Sequence, residues 1–190
     1  MLPRPKFVRM LFIASFVFVY TSTVSAHCDS MEGPVVKASQ IALETGNINF
    51  VLIWVRADDE KEIKELFEKA IRVRQLGTEA KELADMYFFE TVVRLHRMSE
   101  GEGYTGLKPV GYQPEKGIKL ADNAIETNSI DKLLSSLNKK HHSKIKKYYA
   151  GLQSKKNYEV NDVKAGREYV EAYVHFIHYI ETLYGGEEKI

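Results

Sequence analysis

The stretch EKEIKELFEKAIRVRQL, residues 60–76, places Ile63, Leu66, Phe67, Ala70, Ile71 and Val73 three and four residues apart, with charged side chains between them. That period draws one apolar stripe along an α-helix and cannot line one face of a strand. The same period recurs along the chain, and no segment shows sustained strand alternation flanked by hairpin turns. The chain therefore reads as all-α, a helical bundle.

Its punctuation divides the helices. Gly33-Pro34 puts a proline at a first helical position, and VVKASQIALET runs from there to Gly46, a C-terminal stop. INFVLIWV is apolar on all sides and is either a buried helix or a strand. Asp58 and Asp59 open the 60–76 helix, and Thr78 is a natural N-cap for EAKELADMYFFETVVRLHRM. Leu83, Met86, Tyr87, Phe88, Phe89, Val92, Val93 and Leu95 surround that last helix, which predicts a central position and a Glu90–Arg94 pair at i, i+4. The glycines and prolines of residues 100–114 mark a linker.

Beyond the linker the pattern restarts. KASQIALETGNI at 37–48 lines up with KLADNAIETNSI at 119–130, an offset of 82 residues that also sets Ile63 on Ile145 and Phe67 on Tyr149. With a residue or two of slippage FETVVRLHR meets VEAYVHFIH. The bundle is thus expected to consist of two duplicated helical-hairpin halves, 35–99 and 115–190, packed about a pseudo-twofold axis. In the final helix Tyr169, Val170, Tyr173, Phe176, Ile177, Ile180 and Tyr184 fill one arc. Glu168, Glu171, His175, His178 and Glu181 fall on the other, which is expected to be solvated.

Residues 1–26 read as a signal peptide. Arg4, Lys6 and Arg9 precede an apolar run from Met10 to Tyr20, too short for a typical membrane span, and Val24 and Ala26 stand at the −3 and −1 positions of a cleavage site. An uncleaved anchor is the alternative. Cleavage exports the chain, leaves no stable membrane span, and makes His27 the new N-terminus of a hook, residues 27–34. The mature chain keeps 24 basic residues against 26 acidic ones, a balance that calls for no nucleic acid. Cys28 is the one cysteine, so it is a free thiol, an intermolecular bridge or a ligand.

A free His27-Cys28 terminus offers an α-amine, an imidazole, an amide nitrogen and a thiolate within two residues. Nitrogen donors with a thiolate in so tight a chelate suit a nickel or copper ion. Glu171, His175 and His178, at i, i+4, i+7, form a secondary candidate metal site. His96, single and near a helix end, reads as a structural hydrogen-bonding residue. The five lysines between Lys139 and Lys147 read as a solvated face, with an anionic lipid or polyanion surface as the alternative. No phosphate-binding glycine loop is present.

The hook resembles that of the nickel superoxide dismutases, which begin with His-Cys-Asp ahead of a four-helix bundle. His27, Cys28 and Asp29 match its first three residues and Gly33 matches a later glycine. The resemblance implies the amine and imidazole of His27 and the amide and thiolate of Cys28 as ligands. Glu32 stands where that family has a second cysteine, and is the expected oxygen donor or proton relay. The neighbouring proline and tyrosine of the family are also absent. More broadly, HCDSMEGPVV, ELADMYFFETVVRLHR and NDVKAGREYVEAYVHFIHY resemble a family of exported helical proteins of unknown function. That likeness implies a mature start at His27 and an all-helical domain, and no activity.

Two function classes stay open at this point. One is a superoxide dismutase-like oxidoreductase; the other is a non-enzymatic metal carrier or envelope binding module. The partner in either is a metal ion or small molecule, and a homo-oligomer is compatible with both. Exported protein should begin at His27, and intact mass or N-terminal sequencing checks this. A start elsewhere removes the amine on which the hook depends.

Overall fold

The computed structural model describes residues 27–187; the segment read as a signal peptide, 1–26, lies outside the described residues. Among the described residues eight α-helices follow one another: α1 Pro34–Thr45, α2 Asn49–Leu52, α3 Glu60–Val73, α4 Thr78–Ser99, α5 Lys116–Thr127, α6 Asp131–Ser135, α7 Lys139–Lys155 and α8 Val163–Glu187. Among the described residues there is no strand, only an isolated bridge between Ser30 and Lys108. No described helix is long and apolar enough to cross a membrane.

The stops and starts follow local chemistry. Pro34 opens α1, where its missing N–H would have had no intrahelical partner. Gly46 closes it at φ +72°, its N–H reaching the Ala42 carbonyl. At the same 82-residue offset α5 ends at Thr127 and hands over to Asn128 at φ +52°. The Asn138 side chain caps α7 by accepting from the Lys140 amide. Thr78 does not cap α4 as expected: it is the first helical residue, preceded by Gly77 at φ +136°, and no side chain caps that end.

In the first half α1 and α3 pack on α4; in the second α5 and α7 pack on α8. The apolar INFVLIWV stretch becomes the short helix α2 and a turn, with Val51 to Val55 all buried. Residues 53–55 of this turn meet the start of α8 and join the halves. Trp54 stands edge-on to Tyr173 at 5.8 Å between ring centres. Arg167 donates to the Val55 carbonyl at 3.1 Å and pairs with Glu60 at 2.7 Å. Ile53 lies so close to Gly166 that a Cβ there would come 2.3 Å from Ile53 Cγ2.

Helix α4 is central only over its second half. Phe88, Phe89, Val92, Val93 and Leu95 are buried, but Leu83 is 73% and Tyr87 65% exposed, and Met86 is also in solvent. The helices packed on α4 cover its C-terminal turns and leave one side of its N-terminal turns bare. The expected Glu90–Arg94 pair gives way to partners on other elements. Arg94 reaches Glu62 of α3 at 3.1 Å, and Glu90 accepts from the Tyr104 hydroxyl in the linker.

Two glycines inside helices should answer alanine oppositely. Gly166→Ala pushes a methyl into Ile53 and should cost about 1–3 kcal/mol. Gly151 in α7 has nothing within 4 Å of an added Cβ. Gly151→Ala should therefore stabilise by about 0.5–1 kcal/mol through helix propensity. Urea denaturation of both variants beside the parent chain measures the two signs.

Candidate functional site

The hook is part of the packed structure. His27–Asp29 form a single 3-10 turn. The Asp29 carbonyl accepts from the Lys108 amide at 2.8 Å, and the Met31 amide donates to the Lys108 carbonyl at 3.0 Å. The Gly33 amide then returns to the Ser30 carbonyl at 2.9 Å and leads into α1. Pairing with the linker thus draws the hook against the bundle, and Cys28 is 8% and Asp29 0% exposed.

One cation meets them there. Arg97, on the last turn of α4 and 3% exposed, lies 3.5 Å from Asp29 and 2.9 Å from Glu100, with Glu102 at 3.8 Å. Burial, with the Glu100 carboxylate next, pushes the Cys28 thiol well above its ordinary value. Burial likewise lifts Asp29 to about 6 against the pull of Arg97 and Lys108. Glu181 of α8 is lifted to about 8, by burial and then, against Arg97, by the glutamates around it. Carboxylates therefore outnumber the guanidinium, and burial raises the proton affinity of Asp29, Glu100 and Glu181, that of Glu181 past neutral pH.

The histidines of both central helices border this acid cluster. His96 Nδ1 is 3.0 Å from the Trp54 carbonyl, and its ring stands edge-on to the Trp54 indole. At Nδ1 the ring thus makes the structural hydrogen bond expected of it. Its Nε2 lies 3.4 Å from Glu100 Oε1, while on α8 His178 Nε2 lies 3.9 Å from Glu181 Oε2. Asp29 Oδ1 and Oδ2, His96 Nε2, Glu100 Oε1 and Glu181 Oε2 are buried and make no hydrogen bond. Burial holds His96 down at about 4, so the ring is neutral and its Nε2 keeps a lone pair.

A cleft of about 410 Å³ opens onto His96 and Glu100 between the 53–56 turn and α8. Glu171, His175 and His178, the secondary candidates, line its far wall, with Glu171 and His175 exposed and His178 half-buried. The expectation of a solvated arc fails at its C-terminal end. The Glu181 side chain is only 11% exposed there, within reach of the charges of Arg97 and Glu100. Glu32 is exposed, and its Oε2 accepts from the Gly111 amide at 2.9 Å, pinning the linker. Sequence reasoning missed Arg97, Glu100 and Glu181. The available signal was the pair His96/Glu100 at i, i+4, with His178/Glu181 at i, i+3 and the two histidines 82 residues apart.

The donor chemistry fits a transition-metal ion: a thiol, two imidazoles and several carboxylates, with buried atoms short of partners. Among the described residues no three His, Cys, Asp or Glu side chains already converge as a ligand group. Binding would therefore draw side chains together.

The cation-free protein should lose stability between pH 6.5 and 8. Glu181 releases its proton near 4.5 when unfolded and near 8 when folded, so the folded chain holds an extra proton across that window and stability falls as pH rises. His96 works in the opposite direction, but only between about 4 and 6.5, where the unfolded chain binds the extra proton. Above 6.5 the Glu181 effect stands alone of the two, and Glu181→Gln should flatten it. Denaturation in chelator at pH 6.5 and 8 measures the slope.

No curated protein and no solved structure matches the chain. A family model described as a family of unknown function, DUF6448, matches residues 32–179, from the end of the hook to the second half of α8. The chain belongs to the DUF6448 family.

Proposed function

We propose that this chain is an exported metal-binding protein whose centre forms where the mature N-terminus enters the bundle, with His27 and Cys28 holding a nickel or copper ion. The observation that carries this reading is the burial of the Cys28 thiol beside Asp29, Glu100 and Glu181, with the Arg97 guanidinium opposing them in charge. A buried thiol among acids stays protonated; a bound cation lets both thiolate and carboxylates ionise. Such an ion supplies one-electron redox chemistry, which the hook's likeness to nickel superoxide dismutases suggests is directed at superoxide.

The chain's own residues have distinct parts in this reading. Arg97 keeps the hook seated through Asp29 and balances charge. Glu181 holds a proton close to neutral pH beside the centre. Glu32, exposed and bonded to the Gly111 amide, exchanges protons with solvent as an outer relay. We also infer that the two halves arose by duplication. The matched ends of α1 and α5, and His96 and His178 at one offset, support this and would set one imidazole from each half at the join.

Mature protein should carry about one nickel or copper ion per chain. Cys28→Ser should abolish the thiolate-to-metal charge-transfer absorption, and Glu171→Ala should leave it. Glu32→Ala should keep the metal and slow turnover. Stopped-flow superoxide decay decides between the two classes: a rate no faster than that of the free ion leaves the carrier reading.

A further inference from the structure

The His96 ring fixes its own tautomer. A backbone carbonyl can only accept, so Nδ1, 3.0 Å from the Trp54 oxygen, carries the ring proton. Nε2 then bears a lone pair, which faces Glu100 Oε1 at 3.4 Å. The other Glu100 oxygen is taken by Arg97 Nη1 at 2.9 Å. His96 is 1% and the Glu100 side chain 7% exposed, so both acceptors are almost wholly withdrawn from solvent. Neither atom makes a hydrogen bond. Two acceptors facing each other in a buried place need a proton or a cation between them.

The same pairing recurs on α8. His178 Nε2 is 3.9 Å from Glu181 Oε2, which is also buried and without a hydrogen bond. The two pairs border one cleft, which His96, Glu100 and His178 all line. Two ligands bound to a tetrahedral ion at about 2.1 Å stand about 3.4 Å apart. That is the separation across the first pair; the second is longer, and among the described residues no three such side chains converge as they stand, so binding must draw the two pairs together. The His96 Nδ1–H bond to a backbone carbonyl is the support that orients a ligating imidazole.

We propose that His96, Glu100, His178 and Glu181 bind a divalent transition-metal ion at a site built by α4 and α8 themselves. Two imidazole nitrogens with two carboxylates suit zinc, iron(II) or manganese. The cleft that opens onto His96, Glu100 and His178 provides the entry path and a side open to solvent. This site needs neither the His27 amine nor the Cys28 thiolate, although Glu100 and Glu181 also act on the Cys28 thiol of the N-terminal centre.

The experiment measures zinc affinity by chelator competition, with X-ray absorption on the zinc-loaded wild-type chain. His96→Gln and the half-buried His178→Gln should each weaken binding at least about a hundredfold. Cys28→Ser, and a chain extended at its N-terminus, should change it by less than about tenfold. The absorption spectrum should show two imidazoles in the zinc shell, an arm that stands even if His96→Gln fails to fold. Wild-type affinity in His178→Gln, or a shell with fewer than two imidazoles, overturns the proposal. Affinity lost in Cys28→Ser but kept in both histidine variants also overturns it and leaves the N-terminal centre standing. The converse pattern is the one expected of this site, and leaves the nickel or copper centre to its own charge-transfer test.

Discussion

The buried guanidinium of Arg97 ties together three parts of the chain that are far apart in sequence. It approaches Asp29 in the hook, Glu100 beyond the last turn of α4, and Glu102 at the start of the linker. A charge taken out of water needs partners fixed in place, and removing one member of such a buried set typically costs about 3–5 kcal/mol. The hook, the end of α4 and the linker are therefore mutually dependent. The Ser30–Lys108 bridge and the Glu32–Gly111 bond extend the same attachment along the linker. The polar interior follows from this arrangement, because Asp29 and Glu100 enter low dielectric in company with Arg97.

Features with a local cause were legible in the sequence. Pro34 and Gly46 bound α1 through their own backbone preferences, and Ile63, Phe67 and Ala70 are buried as the stripe requires. The linker was equally readable, since Gly101, Gly106 and Gly111 all take positive φ. What depends on distant segments was not. A helical wheel sets His178 and Glu181 opposite the apolar arc of α8, and gives no sign that Arg97 and Glu100, far away in sequence, come near enough to act on their charge. The all-round apolar character of α4 misled for the same reason. Periodicity shows that Leu83 and Tyr87 share the helix with Phe88, but not which side its neighbours cover. Asp29 and Arg97 carry no local pattern that would announce their meeting.

The two halves contribute unequally to the site. The first supplies Arg97, His96 and the Trp54 carbonyl, all buried and held by short contacts. The second supplies His178 and Glu181 from a helix wall that also borders the cleft, with His178 half in solvent. A rigid side facing a more accommodating one is an arrangement in which a ligand can enter before its last contacts close. The acid excess gives the same region its electrostatic sign, favouring cations over anions.

The seating of the hook also sets an order of events during folding. Cys28 feels the charges of Arg97 and Glu100 from one half and of Glu181 from the end of the other. Closing that environment joins segments separated by about 150 residues, among the longest loop closures the chain can make, and such contacts form late. Until α8 docks, the thiol lacks the cover that keeps it protonated and out of reach. The interval before docking is thus when Cys28 is most open to oxidants or to capture by another thiol, and folding speed becomes a determinant of how much protein keeps a reduced cysteine.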